Sequence, residues 1–260
     1  MKNKDIFTFR DAEKQAGPVA FSTMLKPAGS VCNLDCHYCY YLDKAVQYGG
    51  RQAVMSDELL ELYVRQYIEA NEVPTVQFCW HGGEPLLLGV DFYRKAMALQ
   101  EKYAAGKKIE NILQTNGTLV DEAWCDLFAG NNFLVGISLD GPQDIHDAFR
   151  LTKGGRPTFE RVMRTIEMFQ RSGVEYNTLS VVNRLCEGRG GEIYRFFRDT
   201  VHSRYMQFLP AVEHVVDKPV SHGADRSRPP GAPWWFPSYI RWILSSPWRM
   251  RFLPHGSRCG

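Results

Sequence analysis

The chain has 260 residues, 44% hydrophobic and 23% charged, with a formal net charge of +2. That is the composition of an ordinary globular protein with room for one sizeable core, and its near-neutral charge makes no case for a polyanionic partner. No apolar run approaches the ~18 residues of a membrane span, and Met1–Asp5 lacks the apolar stretch of a secretory leader, so no membrane partner is expected and the expected location is the cytoplasm.

In chain order, Val19 to Leu25 reads as a strand and is followed by a cysteine-rich loop. Ser56 is a good helix N-cap, Asp57 and Glu58 suit a first turn, and Leu59, Leu60, Tyr63, Tyr67 and Ile68 supply a helical stripe. Thr75 to Trp80 reads as a strand with His81-Gly82-Gly83-Glu84-Pro85 as its loop, then a helix from Asp91 to about Ala105. The alternation goes on through strand 109–115, helix 121–129, strand 133–140, helix 158–172, strand 175–182, helix 191–199 and strand 205–209. Six strands separated by helices imply an α/β protein with a parallel sheet and right-handed crossovers, either doubly wound or a full or partial barrel. In either, chemistry gathers in the loops after the strand C-termini, and the polar motifs here follow the first four strands.

From about Pro219 the character changes. The last 42 residues hold seven of the fourteen prolines and four of the six tryptophans, with six arginines against one acid, Asp225. Prolines at 229, 230, 233 and 237 forbid a regular helix, and no amphipathic period supports an interfacial one. The expected division is a core over 1–218 and an irregular tail over 219–260.

Three of the seven cysteines, Cys32, Cys36 and Cys39, fall within eight residues. In a reducing compartment such clustering signals metal rather than disulfides. Three thiolates on one loop can hold three irons of a four-iron cubane and leave the fourth open to the amino and carboxylate groups of an amino acid, as S-adenosylmethionine offers them. Reductive cleavage of that ligand gives a 5′-deoxyadenosyl radical. A structural zinc site is the competing reading. Zinc wants four ligands in paired Cys units, yet His37 is the nearest fourth candidate and is wedged between two of the cysteines.

Gly82 and Gly83 would let backbone approach a ligand closely, and Glu84 could accept from its ammonium group. Ser138 and Asp140 share one face near a strand end, where a hydroxyl could bond ribose or carboxylate. Arg150 could pair with a carboxylate, although a solvated surface arginine fits equally well. Asn116-Gly117 would pass as an ordinary turn. Tyr38, Tyr40 and Tyr41 read as packing groups around the loop, His81 and His146 as structural, and Cys79, Cys125 and Cys186 as buried apolar residues.

At this point the sequence resembles the radical S-adenosylmethionine superfamily. Cys32-Asn33-Leu34-Asp35-Cys36-His37-Tyr38-Cys39-Tyr40-Tyr41 is similar to the anaerobic sulfatase-maturating enzymes of Bacteroides-type bacteria. So are Trp80–Pro85, Gln114–Thr118, Ile137–Pro142 and Asp144–Asp147, over about residues 15 to 218. The resemblance implies a partial (β/α)6 barrel. It implies one [4Fe-4S] cluster on Cys32, Cys36 and Cys39, and S-adenosylmethionine contacts at Tyr38, Gly83, Ser138, Arg150 and a residue near Val212. It implies oxidation of a sulfatase Cys or Ser to Cα-formylglycine, an electron donor such as a flavodoxin or ferredoxin, and a role in using chondroitin sulfate or heparin. The family continues into a cysteine-rich SPASM domain that carries its proposed base. Here only Cys259 lies downstream of Lys218, so no base is assigned, and the tail reads as a truncated or frameshifted replacement. The alternatives are a short radical enzyme acting on another peptide, and a non-catalytic iron–sulfur regulator. No helix-turn-helix or basic–aromatic groove supports nucleic-acid binding.

Overall fold

The structure, a computed structural model, describes residues 20–39, 41 and 54–211. Val212, Tyr40, Cys259 and the tail lie outside the described residues. Six strands form one sheet: β1 (Met24–Leu25), β2 (Thr75–Trp80), β3 (Lys108–Thr115), β4 (Leu134–Ser138), β5 (Glu175–Val182) and β6 (Met206–Pro210). All pairings are parallel, and spatial order equals chain order. Each crossover carries helix: α1 (Asp57–Ala70), α2 (Val90–Tyr103), α3 (Glu122–Gly130), α4 (Gln143–Asp147) with α5 (Phe159–Ser172), and α6 (Gly190–Arg195). Among the described residues the outer edges of β1 and β6 carry no further strand, so the barrel is partial.

Local chemistry explains the helix starts. The Ser56 side chain accepts from Leu59 N and Asp121 from Trp124 N, each such cap being worth about 1 kcal/mol. Helix α1 buries Leu60, Val64, Tyr67 and Ile68. Leu59, counted in the expected stripe, is instead 49% exposed, and the apolar face turns through Val64. Helix α5 buries Val162, Ile166 and Phe169, and burying each such side chain contributes about 1.5–3 kcal/mol.

The two faces of the sheet differ. Val76, Phe78, Trp80, Leu113, Val135 and Ile137 are buried under the helices, in a layer of ring contacts that runs Phe78–Trp80–Tyr93–Trp124–Phe128. The alternate positions on the other face include Gln77, Glu110, Gln114, Ser138 and Asn177. A parallel sheet with helices on both faces would be apolar on both. The alternation therefore reserves one face for contacts other than helix packing.

The first strand is shorter than expected, with only Met24–Leu25 paired, to Cys79 and Trp80. Helix α4 was not foreseen, being too short to show a period. The helix expected over 191–199 ends at Arg195 and widens into a π-turn over Phe196–Thr200.

Candidate radical cofactor site

The cysteine loop is held on three sides by the loops that follow β2, β3 and β4. On the β2 side, Gly83 N donates to Gly29 O at 2.9 Å and Glu84 N to Val31 O at 2.8 Å. On the β4 side, Asp35 N donates to Leu151 O at 2.8 Å, His37 N donates to Phe149 O at 3.0 Å, and Leu34 bridges Thr152 in antiparallel fashion. On the β3 side, Asn116 Nδ2 donates to Asn33 Oδ1 at 2.9 Å and Asn33 Nδ2 to Thr118 Oγ1 at 2.8 Å. The expected clustering of motifs at the strand C-termini is thus what the structure shows.

Within this frame Cys36 is buried, and Cys32 and Cys39 are half-buried. The three thiols interact electrostatically with one another. Burial pushes Cys32 up to about 11 and Cys36 up to about 12, the latter against the opposing pull of the Arg150 guanidinium. Iron would have to displace protons from both. The all-thiol donor set on one loop suits a cluster whose ligand sulfurs sit on separate irons.

Arg150 is buried, so the surface alternative is overturned. It donates from Nη2 to Asp140 Oδ1 at 3.0 Å, lies over the Tyr38 ring at 5.5 Å, and carries Nε buried without a partner among the described residues. A buried, unsatisfied guanidinium donor beside Cys36 is a fit for a ligand carboxylate. Asp140 is fully taken up. It accepts from Arg150, from the Tyr38 hydroxyl in a short bond, and from Val181 N at 2.9 Å. Ser138 Oγ accepts from Gln114 Nε2 at 3.1 Å and keeps its own proton for another acceptor.

The loop after β2 is engaged within the protein. Glu84 is wholly buried, and its oxygens accept from Leu86 N at 3.1 Å, Thr115 Oγ1 at 2.7 Å and Asn116 N at 2.8 Å. Its side chain holds the β2 and β3 loops together. Gly82 and Gly83 do permit a close approach, but what they approach is the cysteine loop. A Cβ on Gly83 would lie 2.1 Å from Val31 O, and one on Gly82, at φ +130, would lie 3.0 Å from Gly29 O.

The histidines are structural. Thr158 Oγ1 donates to Arg150 O at 2.7 Å, so it accepts from His146 Nε2 at 3.0 Å, while His146 Nδ1 accepts from Asp140 N at 3.4 Å. Burial lowers His146 to about 4 and keeps it neutral. His81 Nδ1 accepts from Gly82 N at 2.8 Å. Cys125 and Cys186 are buried as expected, whereas Cys79 is half-buried on the polar face. Sequence reasoning passed over Asn177, whose buried Oδ1 has no partner among the described residues, and it gave no individual role to Asn33, Gln114 or Thr118 within their motifs. Isolated polar residues on strands and turns carry no sequence signal of their own.

Comparison with known proteins fits this site. A family model described as the Radical SAM superfamily matches residues 27–186. The chain is 49% identical over 194 residues to a serine-type anaerobic sulfatase-maturating enzyme of Bacteroides thetaiotaomicron, covering 74% of this chain and 47% of that protein. It is 40% identical over 209 residues to a cysteine-type anaerobic sulfatase-maturating enzyme of Clostridium novyi, covering 78% and 54%. A solved structure of anSMEcpe with bound AdoMet and Kp18Cys peptide superposes with a TM-score of 0.69 at 38% identity, covering 74% of this chain and 51% of that one. The chain spans about half the length of the curated relatives it matches.

Proposed function

The chain belongs to the radical SAM superfamily, and we propose that it is the radical-generating core of an anaerobic sulfatase-maturating enzyme. In this reading it oxidises an active-site Ser or Cys of a sulfatase polypeptide to Cα-formylglycine and so supports the use of sulfated polysaccharides. Cys32, Cys36 and Cys39 would hold a [4Fe-4S] cluster, and a small electron-transfer protein of the flavodoxin or ferredoxin kind would reduce it. Reduced and carrying S-adenosylmethionine, that cofactor pair supplies a carbon-centred radical able to take a hydrogen atom.

The remaining work falls to the chain's own residues. Arg150, anchored by Asp140 and Tyr38, offers Nε to a ligand carboxylate. Ser138, oriented by Gln114, offers its hydroxyl proton on the same side of the sheet. The Gly82–Glu84 loop holds the cysteine loop in place through backbone bonds from Gly83 N and Glu84 N. The likeness to maturases of both serine and cysteine type leaves the target residue to experiment. The observation that carries the reading is the meeting of three thiols with a buried, unsatisfied guanidinium where four strand-end loops converge.

The test is anaerobic. The full chain is reconstituted with iron and sulfide, reduced with dithionite, and given S-adenosylmethionine, with and without sulfatase peptides that present Ser or Cys. The expected result is 5′-deoxyadenosine that Cys32→Ala, Cys36→Ala and Cys39→Ala each abolish, together with formylglycine in at least one peptide. Cofactor cleavage with no change in either peptide would favour a different peptide target. A formed cluster without cleavage would overturn the catalytic reading in favour of a regulatory one.

A further inference from the structure

Asn116 stands at the centre of a closed hydrogen-bond ring whose orientation has only one solution. Thr118 N can only donate, and it does so to Asn116 Oδ1 at 2.9 Å. That contact fixes the carboxamide and forbids its flip. Thr118 Oγ1 donates to the same oxygen at 2.8 Å and accepts from Asn33 Nδ2 at 2.8 Å. Asn116 Nδ2 therefore faces the other way. One of its protons goes to Asn33 Oδ1 at 2.9 Å, and the second points to Cys32 Sγ at 3.7 Å. A second donor, Leu34 N, reaches the same sulfur at 3.4 Å. From behind, Asn116 N is tied to the buried Glu84 carboxylate at 2.8 Å.

We propose that Asn116 is a positioning residue for the iron–sulfur centre, its side-chain amide giving an N–H···S hydrogen bond to the Cys32 thiolate that favours the reduced cluster. The proposal rests on the reading that Cys32 is a cluster ligand. Electron density on a ligand thiolate rises when the cluster gains an electron. A fixed N–H donor on that sulfur therefore stabilises the reduced form more than the oxidised one and raises the potential. The bond also ties the cluster loop to β3. The turn that follows β3 and the cofactor loop thus become one unit, and the low exposure of Asn116, 8%, keeps water from replacing its donor.

The test is an anaerobic redox titration of the reconstituted full chain, followed by the electron paramagnetic resonance of the reduced cluster. Asn116→Leu removes the donor without adding charge. Asn116→Asp keeps the acceptor for Thr118 and turns the donor into an anion. Thr118→Val loosens the ring while leaving Asn116 in place. Removing the donor is expected to shift the reduction equilibrium about tenfold towards the oxidised cluster, about 59 mV for one electron. Asn116→Asp should shift it further, and Thr118→Val less, in the same direction. Should Asn116→Leu fail to fold, the other two variants decide. Unchanged potentials in variants that bind a full cluster would overturn the inference and leave the cluster reading intact. Failure of the unsubstituted chain to form a cluster would overturn both.

Discussion

A methyl group at position 83 would lie 2.1 Å from the Val31 carbonyl oxygen and 2.7 Å from the Ser30 carbonyl carbon. Both neighbours are backbone and cannot swing aside, so Gly83→Ala must push the cysteine loop out of register. It is expected to destabilise the chain by about 2 kcal/mol or more and to lower iron content after reconstitution; a normally loaded, equally stable variant would contradict this. Glu84 offers a second measurement. Burial raises it from 4.5 to about 7. Between those values the folded chain keeps a proton that the unfolded chain has released. The contribution of Glu84 to stability is therefore full below pH ~4.5 and is lost as pH rises through about 7. His146 tilts the other way, because its folded form resists protonation down to about 4. The useful quantity is therefore the difference between the parent chain and Glu84→Gln, measured by denaturant unfolding of the metal-free protein. From pH 4.5 to 8 that difference should move against the parent by roughly 3 kcal/mol at most; a flat difference would show that Glu84 stays charged throughout.

At the scale of elements, the segment from Asp140 to Thr158 is a strut built from buried polar bonds. Asp140 joins the end of β4 to β5 through Val181 N, and to Arg150 through an ion pair whose side chains are 0% and 8% exposed. Asp140→Asn would leave the guanidinium uncompensated in a buried site, which typically costs about 3–5 kcal/mol. Thermal unfolding should register that loss, and retention of S-adenosylmethionine should fall with it. A variant of parental stability would mean that water reaches Arg150. The elements themselves were legible in the sequence to different degrees. Strands β2 and β5 were bounded to the residue, since turn residues flank each one. Among the described residues strand β1 is shorter than its apolar run, because an edge strand needs only two paired residues to continue the sheet. The three cysteines were legible because their spacing is local. The Asn33–Asn116–Thr118 ring was not, because its partners are 83 to 85 positions apart. The burial of Glu84 was not legible either, because a carboxylate in a sequence does not reveal how deeply it is buried.

At the scale of the whole molecule, one cluster loop implies one cluster. Reconstituted chain should carry about four irons; eight or more by elemental analysis would require ligands beyond the three cysteines. The strand order that equals chain order has a further consequence, and it concerns time. As the polypeptide leaves the ribosome, each βα unit can dock on the one before it, without waiting for a distant partner. The cofactor loop departs from that rule. It emerges with the first strand, yet the groups that fasten it extend to Thr152. For roughly the next 120 residues of synthesis its thiols lie on an unfinished surface, open to oxidation or to stray metal. Iron delivery therefore has a natural start, the arrival of the strut after β4, and a cell that supplied metal before that moment would load a site that had not yet been built.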